Sequence, residues 1–166
     1  MNPRTVIAGL VALMALGLSA CGFTPLYATP GVTPALSHIE VVAPHGRTAY
    51  LLSQSLDDAF DKDRDAPPAY RLNIQITEHT FPRGLTLNNV AERYEGHLRV
   101  AYTLIDLSTG KTIKSDVEAV EVSYASTTQP YAGVAAEQDS EQRAADEAAE
   151  RIRTNLAVFF ANRAKP

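Results

Sequence analysis

One sulfur nucleophile, four imidazoles and a set of arginines are what this chain offers for chemistry. The sulfur is Cys21, the only cysteine. It follows small residues at the end of an uncharged apolar run, a position that suits acylation. Once it is acylated no thiol is left for a disulfide, a thiolate metal site or cysteine catalysis. His38, His45, His79 and His97 stand apart, with no i, i+4 pair to place two imidazoles on one helix face. They read as solvated strand and loop residues, and no metal is expected. Asp57, Asp58, Asp61, Asp63 and Asp65 crowd together but lack the glycine and terminal glutamate of a calcium loop. That cluster reads as a solvated helix end. There is no glycine-rich phosphate loop, no G-x-S-x-G elbow and no sign of an enclosed carboxylate pair. The expectation is a protein that is not an enzyme and holds no cofactor.

Anion binding is the chemistry that remains. Arg71, Arg83, Arg93, Arg99, Lys111 and Lys114 fall within alternating segments. If those segments align as a meander, several of the cations share one wet face and could grip phosphate groups. The plainer reading is a set of charges that keeps a sheet face soluble. The stretch Phe81 to Ala91 carries apolar Leu85, Leu87 and Val90 and is long for a hairpin connection of 2–5 residues. The alternative is that the strands extend inward until the turn shrinks to Pro82-Arg83-Gly84. The formal net charge of −4 gives no general footprint for nucleic acid, so any polyanion must meet a local basic patch.

The amino terminus must place Cys21. Arg4 supplies a positive start, Val6 to Leu18 an uncharged apolar run, and Leu18-Ser19-Ala20-Cys21 the end. This is the layout of a secretory leader, too short for a bilayer that needs roughly 20 apolar residues. Its last four residues resemble the bacterial lipobox, in which the cysteine is acylated and begins the mature chain. Three acyl chains, at ~0.8 kcal/mol per buried methylene, are enough for stable anchoring. The domain reading is therefore a leader over 1–20, a lipidated tether over 21–35 and a single domain over 36–166. The tether stretch 22–35 carries three prolines, two glycines and no charge, which predicts an extended segment.

The elements that must position the cations follow from periodicity. Leu36 to Val42 reads as a first strand, and Arg47 to Phe60 as an amphipathic helix through Leu52, Leu56, Ala59 and Phe60. From Ala69 the period changes to two. Tyr70, Leu72, Ile74 and Ile76 form one alternating set, and Tyr94, Gly96, Leu98, Val100, Tyr102 and Leu104 another. The turn Asp106 to Gly110 leads into a third run over Thr112 to Tyr124. That run changes phase between Ala119 and Val120, which predicts a β-bulge there; burial on both faces at one end is the alternative. Val134 to Ala161 reads as one long helix buried through Ala145, Ala148, Ala149, Ile152, Leu156, Phe159 and Phe160. The expected fold is an α+β sandwich of order β-α-β-β-β-α, with two helices packed on one face of a mainly antiparallel sheet.

Several of these residues together resemble a known family. The start Cys21-Gly-Phe-x-Pro-Leu-Tyr27, the turn Phe81-Pro-Arg-Gly84, the strand start Glu92-Arg-Tyr-Glu95 and the stretch Ser123-Tyr-Ala-Ser126 before a long last helix are similar to the lipopolysaccharide-assembly lipoproteins LptE, in their alphaproteobacterial form. The resemblance implies a non-enzymatic outer-membrane lipoprotein that plugs the lumen of the LptD β-barrel and helps assemble it. That translocon delivers lipopolysaccharide to the cell surface. The resemblance also implies lipopolysaccharide contact through a basic residue at the place of Arg83. A second basic residue of the family, near the start of the last helix, falls at Ala136 here. The implied partners are the LptD barrel, lipopolysaccharide and, through Cys21, the membrane, with no nucleic acid. Arg83, Arg93, Arg99, Lys111 and Lys114 are the candidate contacts. The rival expectation is a periplasm-facing lipoprotein module that binds a small or lipidic ligand in a cleft.

Overall fold

A six-residue helix, α1 (Val32–Ser37), opens the described part of the chain and drops Val32 and Leu36 into the core. The computed structural model describes residues 31–85, 91–127 and 129–163. After α1 come β1 (Ile39–Val42), α2 (Arg47–Ala59), β2 (Tyr70–Leu85), β3 (Ala91–Asp106), β4 (Lys111–Ala125) and α3 (Pro130–Arg163). The end of the expected tether is therefore not extended. Gly31 takes φ 90°, which a glycine adopts readily, and starts a turn of helix that buries two apolar side chains. The same helix takes up Leu36 and Ser37, so the first strand is shorter than the apolar pattern predicts.

The four strands form one sheet in the order β1-β2-β3-β4. β1 runs parallel to the start of β2, as a crossover through α2 requires, and pairs with it only from Ile39↔Tyr70 to Val42↔Asn73. The other strands are antiparallel neighbours. Leu72, Ile74, Leu98, Val100, Tyr102, Leu104 and Val120 point to one face and are buried under α2 and α3. The expected sandwich is thus the observed one. On α3 a stripe through Ala144, Ala145, Ala148, Ala149, Ile152, Leu156 and Phe160 meets α2 and the sheet. The alanines let the helix backbone approach closely, and Phe160 fills the far end against Tyr70, with ring centroids 5.1 Å apart.

The bulge expected at Ala119–Val120 is absent. Pairing stays regular there, through Arg99↔Ala119 and Leu98↔Val120. The irregularity lies at Leu104/Ile105, where Ile113 is the extra residue of β4. Slipping the register at that point returns Ile113 to the core side, where it packs against the buried cluster. Val117, on the opposite face, simply stays 39% exposed.

The crowded aspartates build turns. Asp61, at φ 50°, ends α2 in the left-handed conformation. Lys62 N–H then bonds Asp57 O and Asp61 N–H bonds Asp58 O, the paired bonds of a Schellman cap. Asp63 Oδ1 accepts from the backbone of Asp65 and Ala66. Those groups hold the chain together as it leaves the helix.

Candidate functional site

The face of the sheet that no described helix covers is built by odd-numbered residues of β2 and β3, because strand side chains alternate. Direct pairing places Arg71 beside Ile105, Thr77 beside Arg99, His79 beside His97, Phe81 beside Glu95 and Arg83 beside Arg93. Four of the expected cations, Arg71, Arg83, Arg93 and Arg99, therefore do share one face. Lys111 and Lys114 do not join them. They pair with Asp106 and Leu104 and so lie on the helix-bearing side, where Lys114 Nζ is held 2.8 Å from Asp116. The bulge and the strict alternation after it send them there.

The hairpin that carries this face projects past the core. Every β2 residue from Thr77 to Gly84 is exposed, and beyond Asn73 the strand has no neighbour on its outer side among the described residues. Pro82, which donates no hydrogen bond, is tolerated on such an edge. The expected long connection from Phe81 to Ala91 is mostly strand, since β2 continues to Leu85 and pairs it with Ala91. Its apolar Leu87 and Val90 lie outside the described residues, as do Cys21 and the whole leader.

The four arginines differ in how far their charge is compensated. Arg71 Nε lies 2.8 Å from Glu40 and Arg83 Nε 2.8 Å from Glu95. Arg93 and Arg99 are exposed and have no acidic partner among the described residues. Glu95 is the most perturbed acid of the face. The hydrogen bond from Arg83, then that from His97, hold its carboxyl down at about 2. The same pairing raises the Arg83 guanidinium further above its ordinary value.

Sequence spacing did not reveal the grouping around His97. His97 Nε2 lies 2.7 Å from Glu95 Oε1, and Nδ1 lies 3.7 Å from Glu121 Oε1, directly across on β4. Phe81 packs edge-on to the His97 ring at 5.1 Å. The reading of His79 and His97 as isolated is thus corrected, because they face each other across β2 and β3. Helical spacing cannot detect a row that runs across strands; the alternation of Glu95 and His97, combined with the register, could have.

The opposite edge of the sheet is closed by side chains. Arg151 Nη1 donates to Ala119 O at 2.6 Å and Arg143 Nη2 to Ser123 O at 3.3 Å, so α3 occupies backbone acceptors of β4. On the helix-bearing side, a shallow cleft of about 120 Å³ lies between Glu78, Gly96 and Tyr124 of the sheet and Glu137 and Ser140 of α3. Sites for small organic ligands run to ~300–1,000 Å³. Among the described residues no helix is long and apolar enough to cross a membrane.

Comparison with known proteins places this arrangement. A sequence model described as LptE, lipopolysaccharide-assembly, matches residues 36–156. A lipoprotein of Caulobacter crescentus CB15 shares 43% identity and superposes with a TM-score of 0.71, over 82% of this chain and 98% of its own. The rare lipoprotein B of Shewanella oneidensis is similar at 13% identity and TM-score 0.57, over 75% and 95% of the two chains. Lipoprotein B of Nitrosomonas europaea is similar at 16% identity and TM-score 0.57, over 74% and 83%. These last two likenesses concern the fold. No curated protein matches significantly. The family match over most of the domain, together with the helix-backed sheet and its projecting hairpin, makes this chain a member of the LptE family of lipopolysaccharide-assembly lipoproteins.

Proposed function

We propose that this chain is an outer-membrane lipoprotein, anchored through acylated Cys21, that acts without catalysis as the plug and assembly partner of the LptD β-barrel. The observation that carries the reading is the bare hairpin face, exposed from Thr77 to Gly84 and mostly polar around Phe81, with Arg93 and Arg99 uncompensated among the described residues. The lumen of an outer-membrane barrel is polar, so its occupant needs a wet protein surface rather than a greasy one. Free guanidinium groups on that surface suit phosphate groups of lipopolysaccharide or acidic groups of the barrel wall. Arg93 and Arg99 are the leading contacts. Arg83 contributes through its ion pair with Glu95, and Lys111 and Lys114 belong to a separate patch on the other side. Family membership supports the same role.

The rival module for a small or lipidic ligand requires an enclosed cleft, and the clefts found among the described residues are all open to solvent. Extraction of tagged full-length chain in mild detergent, followed by mass spectrometry, tests the proposal. The expected result is recovery with a large outer-membrane barrel. Recovery of the chain alone from intact outer membranes would overturn it.

A further inference from the structure

The row across β2, β3 and β4 carries more ligating chemistry than a solubilising surface needs. Glu95, His97 and Glu121 each offer one donor atom, and these atoms all lie within 4.8 Å of one another. We propose that Glu95, His97 and Glu121 form a binding site for a divalent transition-metal ion of the Zn²⁺ type on the open face of the sheet.

Charge and geometry both support it. Two carboxylates flank one imidazole, and among the described residues Arg83 alone compensates them at close range. A neutral imidazole has one N–H and cannot donate to both acids. The two carboxylates and Arg83 leave one net negative charge, and a divalent metal ion more than offsets it by taking a nitrogen lone pair and one oxygen from each acid. Donors around a tetrahedral ion at ~2.0–2.2 Å stand on the order of 3.4 Å apart. Glu95 lies on Nε2 of the ring and Glu121 on Nδ1, so one carboxylate must swing toward the nitrogen that the metal takes.

The ligands are already oriented. Phe81 packs against the His97 ring, and Arg83 holds Glu95 through Nε on Oε2 at 2.8 Å and more loosely through Nη2 on Oε1 at 3.3 Å, while Oε1 also faces His97. With a metal on Oε1, Arg83 keeps the other oxygen as an outer-shell partner that fixes the carboxylate. One nitrogen and two carboxylate oxygens form a donor set that suits Zn²⁺, with calcium and magnesium disfavoured by the imidazole. Three protein ligands leave an outward coordination position for water or for an anionic group of a partner. His79, directly opposite His97, is the adjacent nitrogen donor.

The test is calorimetric titration of the full-length, detergent-solubilised chain with ZnCl₂, alongside the visible spectrum with CoCl₂. Wild type is expected to take up one equivalent and to show the d–d bands of a four- or five-coordinate Co²⁺ ion. Glu121→Gln changes a 69% exposed side chain that the fold does not need. It should weaken binding by ~10-fold or more, since even outer-shell changes cost that much. His97→Ala should abolish binding and the bands, while His45→Ala, on an exposed loop, should leave both unchanged. Absence of stoichiometric uptake by wild type, or equal affinity in wild type, His97→Ala and Glu121→Gln, would overturn the site.

Discussion

Arg83 and Arg93 face each other directly across the β2–β3 hairpin, yet only Arg83 has an acidic partner among the described residues. Like charges in that relation repel. Glu95, two pairs along the ladder and so next on the same face, relieves the repulsion by drawing Arg83 aside and leaves Arg93 presented to solvent. The hairpin thus holds one guanidinium and offers the other.

This pairing gives a pH dependence. Glu95 titrates at about 2 in the folded chain against an ordinary 4.5. A carboxyl with a depressed folded value stabilises the fold above its unfolded value and loses that contribution as pH falls through the folded one. Acid titration of stability should therefore show a loss between about pH 4.5 and 2 that is smaller in Glu95→Gln. Identical acid profiles for the two proteins would remove the Arg83–Glu95 pair from the account.

Phe160 closes the core at the end of α3, 6% exposed and packed against Tyr70 and Phe159. Its truncation to Ala should cost about 3–5 kcal/mol. That corresponds to a fall in melting temperature on the order of 10 °C. Phe159→Ala, only partly buried, should fall clearly less. Equal and small shifts in the two variants would contradict the packing.

Tyr102 is 2% exposed and its hydroxyl has no hydrogen-bond partner in good geometry. The Asn155 amide is nearby but is given to Glu118. Burial, then the negative charges of Asp116 and Glu118, push the phenol's ionisation far upward. Removing an unsatisfied buried hydroxyl is neutral or favourable. Tyr102→Phe should thus match wild type or gain up to about 1 kcal/mol in denaturant unfolding, and a loss larger than that would reveal a missed partner.

Much of this was legible in the chain. Period-two alternation located β2, β3 and β4, and the alanine-rich stripe located α3, because each face is either buried or wet along its whole length. The Arg71, Arg83, Arg93 and Arg99 face followed from the same alternation. What escaped depended on register. The Ile113 bulge turns Lys111 away from the arginines, while Lys114 lies on the helix-bearing side by its alternation with Val120. The His97 cluster needed residues from two strands to be set opposite each other. Val32 was hidden by the prolines and glycines around it, which suggested a tether where a short helix packs, and Leu36 was read into the first strand.

The anchor is tested by Cys21→Ala. Acylation at this residue predicts that the variant loses metabolic labelling with a palmitate analogue and leaves the membrane fraction on gentle washing. A processed variant that stays labelled and fully membrane-bound would contradict the lipobox reading.

The most direct measurement of the working surface is co-recovery of the LptD barrel and of lipopolysaccharide with wild type and with Arg93→Glu/Arg99→Glu. Exposed charges of this kind shift stability by no more than ~0.5 kcal/mol each, so the fold should persist. Wild type should bring down the barrel with or without added lipopolysaccharide. The double variant should lose barrel recovery if the face contacts the wall, or salt-sensitive lipopolysaccharide binding if it contacts phosphate. Unchanged recovery of both by the double variant would contradict the assignment of this face as the working surface.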